Sequence, residues 1–141
     1  MKKLILFCIC ILTVFMLSAG GRKKSAENLP LLNTKWILTV IYDDVILQDM
    51  DTAYIIFNDN YKFSGNLGCN LFFGEFNYRK KKIRLDYFGA TKKLCANMEV
   101  EEQFVKAIRN DILQYNIEKN KLYLLYKNKT ICKFEGITSL P

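Results

Sequence analysis

The chain has 141 residues, a formal net charge of +7 and no histidine. Half of its residues are hydrophobic and 13% are aromatic, which excludes a disordered chain and allows one real core. The missing imidazole excludes any mechanism with a histidine base and any histidine metal ligand.

Met1-Lys2-Lys3 is a short positive segment, and Leu4 to Leu17 is an apolar run interrupted only by Thr13. Ser18-Ala19-Gly20-Gly21 then supplies small residues. This order predicts a secretory signal peptide over 1–21, and with it an exported product in the periplasm or cell envelope. The run is shorter than the roughly 18–20 residues that a membrane-spanning helix needs. Leu17-Ser18-Ala19-Gly20 also looks like the start of a bacterial lipobox, but Gly20 and Gly21 stand where the lipid-carrying Cys belongs. A cleaved soluble product, an uncleaved anchor and an atypical lipoprotein all stay open. Residues 22–32 read as a short tether, and 33–137 as one domain.

Thr34 to Ile41 is rich in β-formers and predicts a first strand, with Asp43-Asp44 as a turn. Ala53 to Phe57 and Tyr61 to Ser64 predict a hairpin around Asn58-Asp59-Asn60. Gly65-Asn66-Leu67-Gly68-Cys69-Asn70 reads as a loop. Phe72 to Tyr78 and Lys82 to Tyr87 predict a second hairpin around Arg79-Lys80-Lys81. In its second arm Ile83, Leu85 and Tyr87 alternate with charged residues, so Tyr87 is expected to face inward. A short strand is expected over Ala90 to Cys95. Asn97 then looks like the N-cap of a helix whose first turn carries Glu99, Glu101 and Glu102. Its apolar stripe would hold Val100, Phe104, Ala107 and Ile108. Leu113 to Ile117, Lys121 to Tyr126 and Thr130 to Phe134 complete a meander.

These elements predict an α+β domain: a curved antiparallel β-sheet or cracked barrel of about eight short strands, packed with one main helix. The segment Gly65-Asn66-Leu67-Gly68-Cys69-Asn70-Leu71-Phe72-Phe73-Gly74-Glu75-Phe76 resembles the central motif of the META/HslJ family, G-x-x-G-C-N-x-x-x-G-x-Y or similar. Thr34-Lys35-Trp36-Ile37-Leu38 resembles the opening W-x-L strand of that family. Thr91-Lys92-Lys93-Leu94-Cys95 resembles its T-K/R-x-x-C motif, and Glu101-Glu102-Gln103-Phe104 begins the matching helix. Trp36, Gly65, Gly68, Cys69, Asn70, Gly74, Thr91, Cys95 and Phe104 are the motif positions. Phe76 departs from the usual Tyr, and Lys93 from a frequent Met. The resemblance implies a barrel-like sheet with a helix, in exported or membrane-associated bacterial proteins linked to heat shock, antibiotic tolerance and secretion. It implies no catalytic activity.

Cys69 and Cys95 both fall on the family motifs, and an exported compartment permits disulfides. A bridge between them is expected to contribute roughly 3 kcal/mol, with two packed thiols as the alternative. Cys132, between Ile131 and Lys133, reads as a small buried hydrophobe. No metal site or cofactor is expected, since the chain beyond the leader has three Cys, no CxxC and no His. Asp43, Asp44, Asp49 and Asp51 lack calcium-loop spacing. Gly65, Gly68 and Gly74 are followed by no Gly-Lys-Ser/Thr, so no phosphate loop is present. Gly65 and Gly68 are expected to allow positive φ, and Asn70 to cap the loop through its side chain. Ser64 has no His partner.

The expected role is therefore a non-catalytic envelope domain that binds or scaffolds another protein, peptide or lipid in a stress or secretion setting. A carrier or inhibitor with an apolar pocket on the concave sheet face is the alternative. Arg79 to Lys82, Arg84, Lys92 and Lys93 form either a solvated turn or a contact for anionic lipid or envelope polymer. Nucleic acid is not expected as a partner.

Overall fold

The computed structural model describes residues 27–45, 53–96, 98–109 and 112–137. The expected leader, Asp49 and Asp51, the Asn97 cap and the side chain of Tyr87 lie outside what is described. In chain order the elements are β1 (Lys35–Ile41), β2 (Asp44–Val45), β3 (Ala53–Phe57), β4 (Lys62–Leu67), β5 (Leu71–Arg79) and β6 (Lys82–Ala90). They are followed by α1 (Glu99–Ile108), β7 (Leu113–Glu118), β8 (Lys121–Tyr126) and β9 (Lys129–Ile137).

Period-two alternation builds the strands. In β3, Ala53, Ile55 and Phe57 are buried, and in β4, Phe63 and Leu67 are. In β1 the phase breaks after Leu38, where the pairing with β9 skips Thr39, so that Ile41 again points inward. A second break at Ile131 does the same in β9. Such bulges bend a strand and raise its twist, which a closing sheet requires.

All neighbouring strands are antiparallel, and β1 pairs with both β3 and β9. The sheet therefore closes on itself: eight strands form a barrel, and the two-residue β2 pairs with β1 outside the ring. The fold is mostly β, with one short helix. Of the expected curved sheet or cracked barrel, the barrel is what forms, closed rather than cracked, and the α+β balance is corrected to mostly β. The narrowest seam is β6–β7, where only Lys82 and Ile83 pair with Gln114 and Leu113.

Three two-residue turns carry the hairpins β1–β2, β5–β6 and β8–β9. Both central residues of each have positive φ: Tyr42-Asp43 (46° and 78°), Lys80-Lys81 (48° and 65°) and Lys127-Asn128 (48° and 65°). That left-handed pair matches the twist of the strands, and the turns adopt it without a glycine. The expected Asp43-Asp44 turn is thus shifted by one residue, with Asp44 in β2.

Alternation of strand direction sends the turns β3–β4, β5–β6 and β7–β8 to one end of the barrel. The β4–β5 turn, the β8–β9 turn and the β6–α1 connection lie at the other. The interior is filled by Trp36, Phe57, Phe63, Phe72, Phe76 and Phe134, all essentially fully buried. Phe57 meets Phe76 edge-on at 4.9 Å, and Phe63 lies 5.4 Å from Phe72. Helix α1 buries Phe104, Ala107 and Ile108. Phe104 sits between Phe72 (5.7 Å) and Phe134 (5.8 Å), so the helix plugs one mouth of the barrel. Burial of one such ring contributes about 1.5–3 kcal/mol.

The expected tether is part of the fold from Asn28 onward. Asn28 Oδ1 accepts from the Lys119 amide at 2.6 Å, and the Leu29 amide donates to Lys119 O at 2.7 Å. Leu31 is buried, and its carbonyl accepts from Trp36 Nε1 at 3.0 Å. A buried indole N–H needs such a partner, and no side chain in the barrel supplies one, so the preceding backbone is drawn in.

Gly65 lies inside β4, not in a loop, and its role is close approach. A Cβ there would collide with the Tyr54 carbonyl oxygen and the Phe72 ring. Gly65→Ala is therefore expected to destabilise the domain by about 3 kcal/mol or more, since backbone and a fully buried ring must both shift. Urea denaturation followed by Trp36 fluorescence measures this; a loss below about 1 kcal/mol would show that β4 yields more easily than its packing implies.

Candidate functional site: the Asn70 clasp

Residues 91–96, between β6 and α1, belong to no strand, so other partners set their course. The strand expected over Ala90 to Cys95 does not form: Ala90 ends β6, and beyond the bond from the Thr91 amide to Leu71 the segment is held by Asn70. The β4–β5 turn takes the place of a neighbour. Gly68 adopts φ 114°, a conformation that favours glycine, and its amide donates to Asn66 Oδ1 at 2.8 Å. The turn closes with the Leu67 amide on Asn70 O at 2.8 Å.

This geometry turns the Asn70 side chain inward, where it is 2% exposed. Its Oδ1 accepts from the Lys93 amide and from Thr91 Oγ1, each at 2.7 Å. Its Nδ2 donates to Lys93 O at 3.3 Å and to the Glu101 carboxylate at 3.0 and 3.2 Å. The Asn70 amide reaches the same carboxylate at 3.0 Å. Thr91 closes the circuit: its hydroxyl accepts from the Leu71 amide at 3.2 Å, and its own amide donates to Leu71 O at 3.0 Å. One asparagine thus ties the β4–β5 turn, the 91–93 segment and the first turn of α1 together.

Beside it, Cys69 and Cys95 form a disulfide with Cα atoms 6.2 Å apart, closing a separation of 26 residues. A sulfur in that state has no proton, so its 3.7 Å approach to Lys93 O is a packing contact. By chain entropy alone the bridge contributes about 3.5 kcal/mol.

The motif positions thus separate by task. Cys69, Asn70, Thr91 and Cys95 build the clasp, and Gly68 sets its turn. Trp36 and Phe104 are core, and Gly65 makes room for Phe72. Gly74 lies in β5 opposite Phe63, at the point where the β5–β6 register shifts. Lys93 serves through its backbone alone, which explains how Lys stands where the family often has Met. Phe76 is buried against Phe57, in a setting where a ring without a hydroxyl needs no partner. Glu101 is the member that sequence reasoning assigned only to the helix dipole; it lies 31 residues from Asn70. The residue before α1 is Met98, with no side-chain capping bond.

Cys132 is fully buried on β9, and desolvation pushes its thiol up from 9.0 to about 12. Among the described residues no group of three or more Cys, Asp and Glu is arranged to hold a metal ion. Asp43 pairs instead with Lys129 at 3.3 Å, both exposed. The expected basic patch divides in two. Arg79 pairs with Lys82 at one end of the β5–β6 hairpin and Phe72 with Ala90 at the other, so the hairpin tip lies roughly 20 Å or more from Lys92 and Lys93.

The META domain family model matches residues 29–136. The chain belongs to the META domain family. Two solved structures, both determined by NMR, share its fold. One, from Burkholderia xenovorans, is 18% identical with a TM-score of 0.63, covering 77% of this chain and 85% of its own. The other is 20% identical with a TM-score of 0.61, covering 73% of this chain and 88% of its own. No curated protein matches. In this META domain the family's two central motifs meet at one hydrogen-bonded asparagine and one disulfide.

Asn70→Ala leaves the Lys93 amide and the Glu101 carboxylate without their partner, and is expected to cost about 2–4 kcal/mol in urea denaturation. Asn70→Asp sets a second carboxylate against Glu101. Like-charge repulsion is expected to make its loss at pH 7 larger than that of Asn70→Ala. Equal stability of the two variants at pH 7 would contradict the contact with Glu101.

Cys132 gives the domain a pH dependence of its own. Its folded pKa lies above the unfolded value, so its contribution is intact below pH 9.0 and is lost as pH rises toward about 12. The thiol is expected to resist Ellman's reagent in the native protein at pH 8 and to react fully in urea; fast reaction in the native state would contradict its burial.

Proposed function

We propose that this META domain is a non-catalytic binding or scaffolding module of the bacterial envelope, which engages another protein or peptide at its clasp end. The observation that carries this reading is the use made of the motif residues. Asn70, Thr91, Glu101, Cys69 and Cys95 are spent on one another around the buried Asn70 side chain, rather than presented to a substrate. What the clasp does present is apolar: Leu71 is 49% exposed, Phe73 60% and Leu94 100%. Leu71 and Phe73 share the outer face of β5, and Leu94 adjoins Cys95 in the chain. Exposed apolar groups held on a rigid frame suit protein association.

The disulfide supports an oxidising compartment, and the apolar run followed by small residues supports export. The heat-shock, secretion and antibiotic-tolerance context, and any lipid anchor, are proposed from the family resemblance. The carrier reading loses its main support, since Trp36 and the inward phenylalanines occupy the concave face.

A photo-crosslinking amino acid at Phe73 or Leu94 is expected to yield a discrete adduct with an envelope protein, and the same group at Lys121 is not. Equal labelling from all three positions would refute a clasp-end partner. Turnover in a hydrolase screen that a point substitution abolishes would refute the non-catalytic reading.

A further inference from the structure

We propose that the outer face of the β5–β6 hairpin, together with Ile112, is a docking surface for an anionic phospholipid membrane. It lies apart from the clasp end, and either surface stands without the other.

The charge is concentrated and largely uncompensated. Arg79, Lys80, Lys81, Lys82 and Arg84 are all exposed within six consecutive positions of the hairpin. Among the described residues only Arg84 of these five has a carboxylate partner, Asp86 at 2.8 Å. Lys81 lies over the Tyr115 ring at 5.5 Å. Near a leaflet of anionic lipid each such cation raises partitioning roughly fivefold.

The shape is open. Tyr78, Arg79, Lys80, Arg84 and Ile112 line a shallow groove of about 740 Å³ on the outside of the barrel. A shallow basic depression suits a plane of headgroups better than an enclosed small molecule.

Beside the cations, at the same end of the barrel but on the face of β5 that carries Phe76, stand groups that favour the membrane interface. Tyr61 is 59% exposed and Tyr78 37%, with their rings 6.3 Å apart. Both lean on the buried Phe76, at 6.2 and 5.7 Å, so the pair is held in place. Ile112 is 53% exposed at the rim. Tyrosine with a wet hydroxyl and an apolar ring settles at headgroup depth, and lysine keeps its charge in water while its stem lies along apolar surface. A purely phosphate-bearing polymer would satisfy the cations and leave Ile112 without a partner. That combination favours lipid over nucleic acid.

The test uses the full chain and flotation with vesicles of phosphatidylcholine, alone or mixed with phosphatidylglycerol. The readout is the ratio of binding to the two, because the apolar run of Leu4 to Leu17 adds to both. Arg79→Gln, Lys80→Gln and Lys82→Gln combined are expected to lower this ratio on the order of a hundredfold. The equal charge change at Lys121, Lys129 and Lys133 is expected to lower it severalfold at most. Equal loss in the two triple variants would overturn the proposal in favour of net charge alone. Ile112→Trp keeps every charge, so it decides the matter even if the hairpin variant unfolds. Its emission is expected to shift to the blue on anionic vesicles and to resist an aqueous quencher. No shift, or hairpin-dependent binding of single-stranded DNA as tight as that of vesicles, would overturn a membrane surface.

Discussion

The architecture turns on the carboxamide of Asn70. Beyond the bond from the Thr91 amide to Leu71, the connection 91–96 has no strand or helix to set its course, so its path depends on other partners. Asparagine offers an acceptor and two donors on a short stem, which lets it act as a substitute strand edge. Here the acceptor holds Lys93 N and Thr91 Oγ1, and the donors hold Lys93 O and Glu101. Because Glu101 belongs to α1, the same side chain positions the helix, and so delivers Phe104 to its place between Phe72 and Phe134. The disulfide acts on the same segment from the unfolded side of the equilibrium, by restricting the open chain. Hydrogen bonds give the connection its path, and the covalent link keeps that path within reach.

A closed barrel with a filled interior directs function outward. Rings occupy the volume that a ligand would need, and the helix blocks one mouth. Closure also removes most free strand edges, the usual sites of unwanted pairing. What remains for recognition is the outer surface, and its chemistry is uneven. Apolar groups gather around the clasp, whereas cations and tyrosines gather on the β5–β6 hairpin. The strands hold these regions far enough apart for one domain to meet two different environments at once.

Much of the fold was legible from periodicity. Alternation in Ile83 and Leu85 reads directly as one buried face, and the spacing of Phe104, Ala107 and Ile108 as a helix stripe. The ordered motifs pointed to Cys69, Asn70, Thr91 and Cys95 together. Four things were hidden, each for a physical reason. Closure depends on β1 meeting β9, a contact between chain ends that local pattern does not encode. Glu101 looked like an ordinary first-turn acid, because its partner lies 31 residues away and its dipole role is equally good chemistry. Lys80-Lys81 and Lys127-Asn128 carry little of the glycine signal that usually marks a two-residue hairpin, so their left-handed geometry had no spelling in the sequence. The polar segment Arg22 to Asn28 suggests a tether running on to Leu32, yet the buried indole of Trp36 requires an acceptor and recruits Leu31 into the fold.

The pairing of the first full strand with the last has a temporal side. Lys35 sits opposite Ile137, about 100 residues further along, and Trp36 opposite Gly136. A chain threaded from its N-terminus through a ribosome tunnel or a translocation channel presents β1 long before β9 emerges. Until then Trp36 and Leu38 lack the neighbour that shields them, and the ring stays open. The domain cannot finish folding early, so it remains threadable for almost its whole length and then closes in one late step.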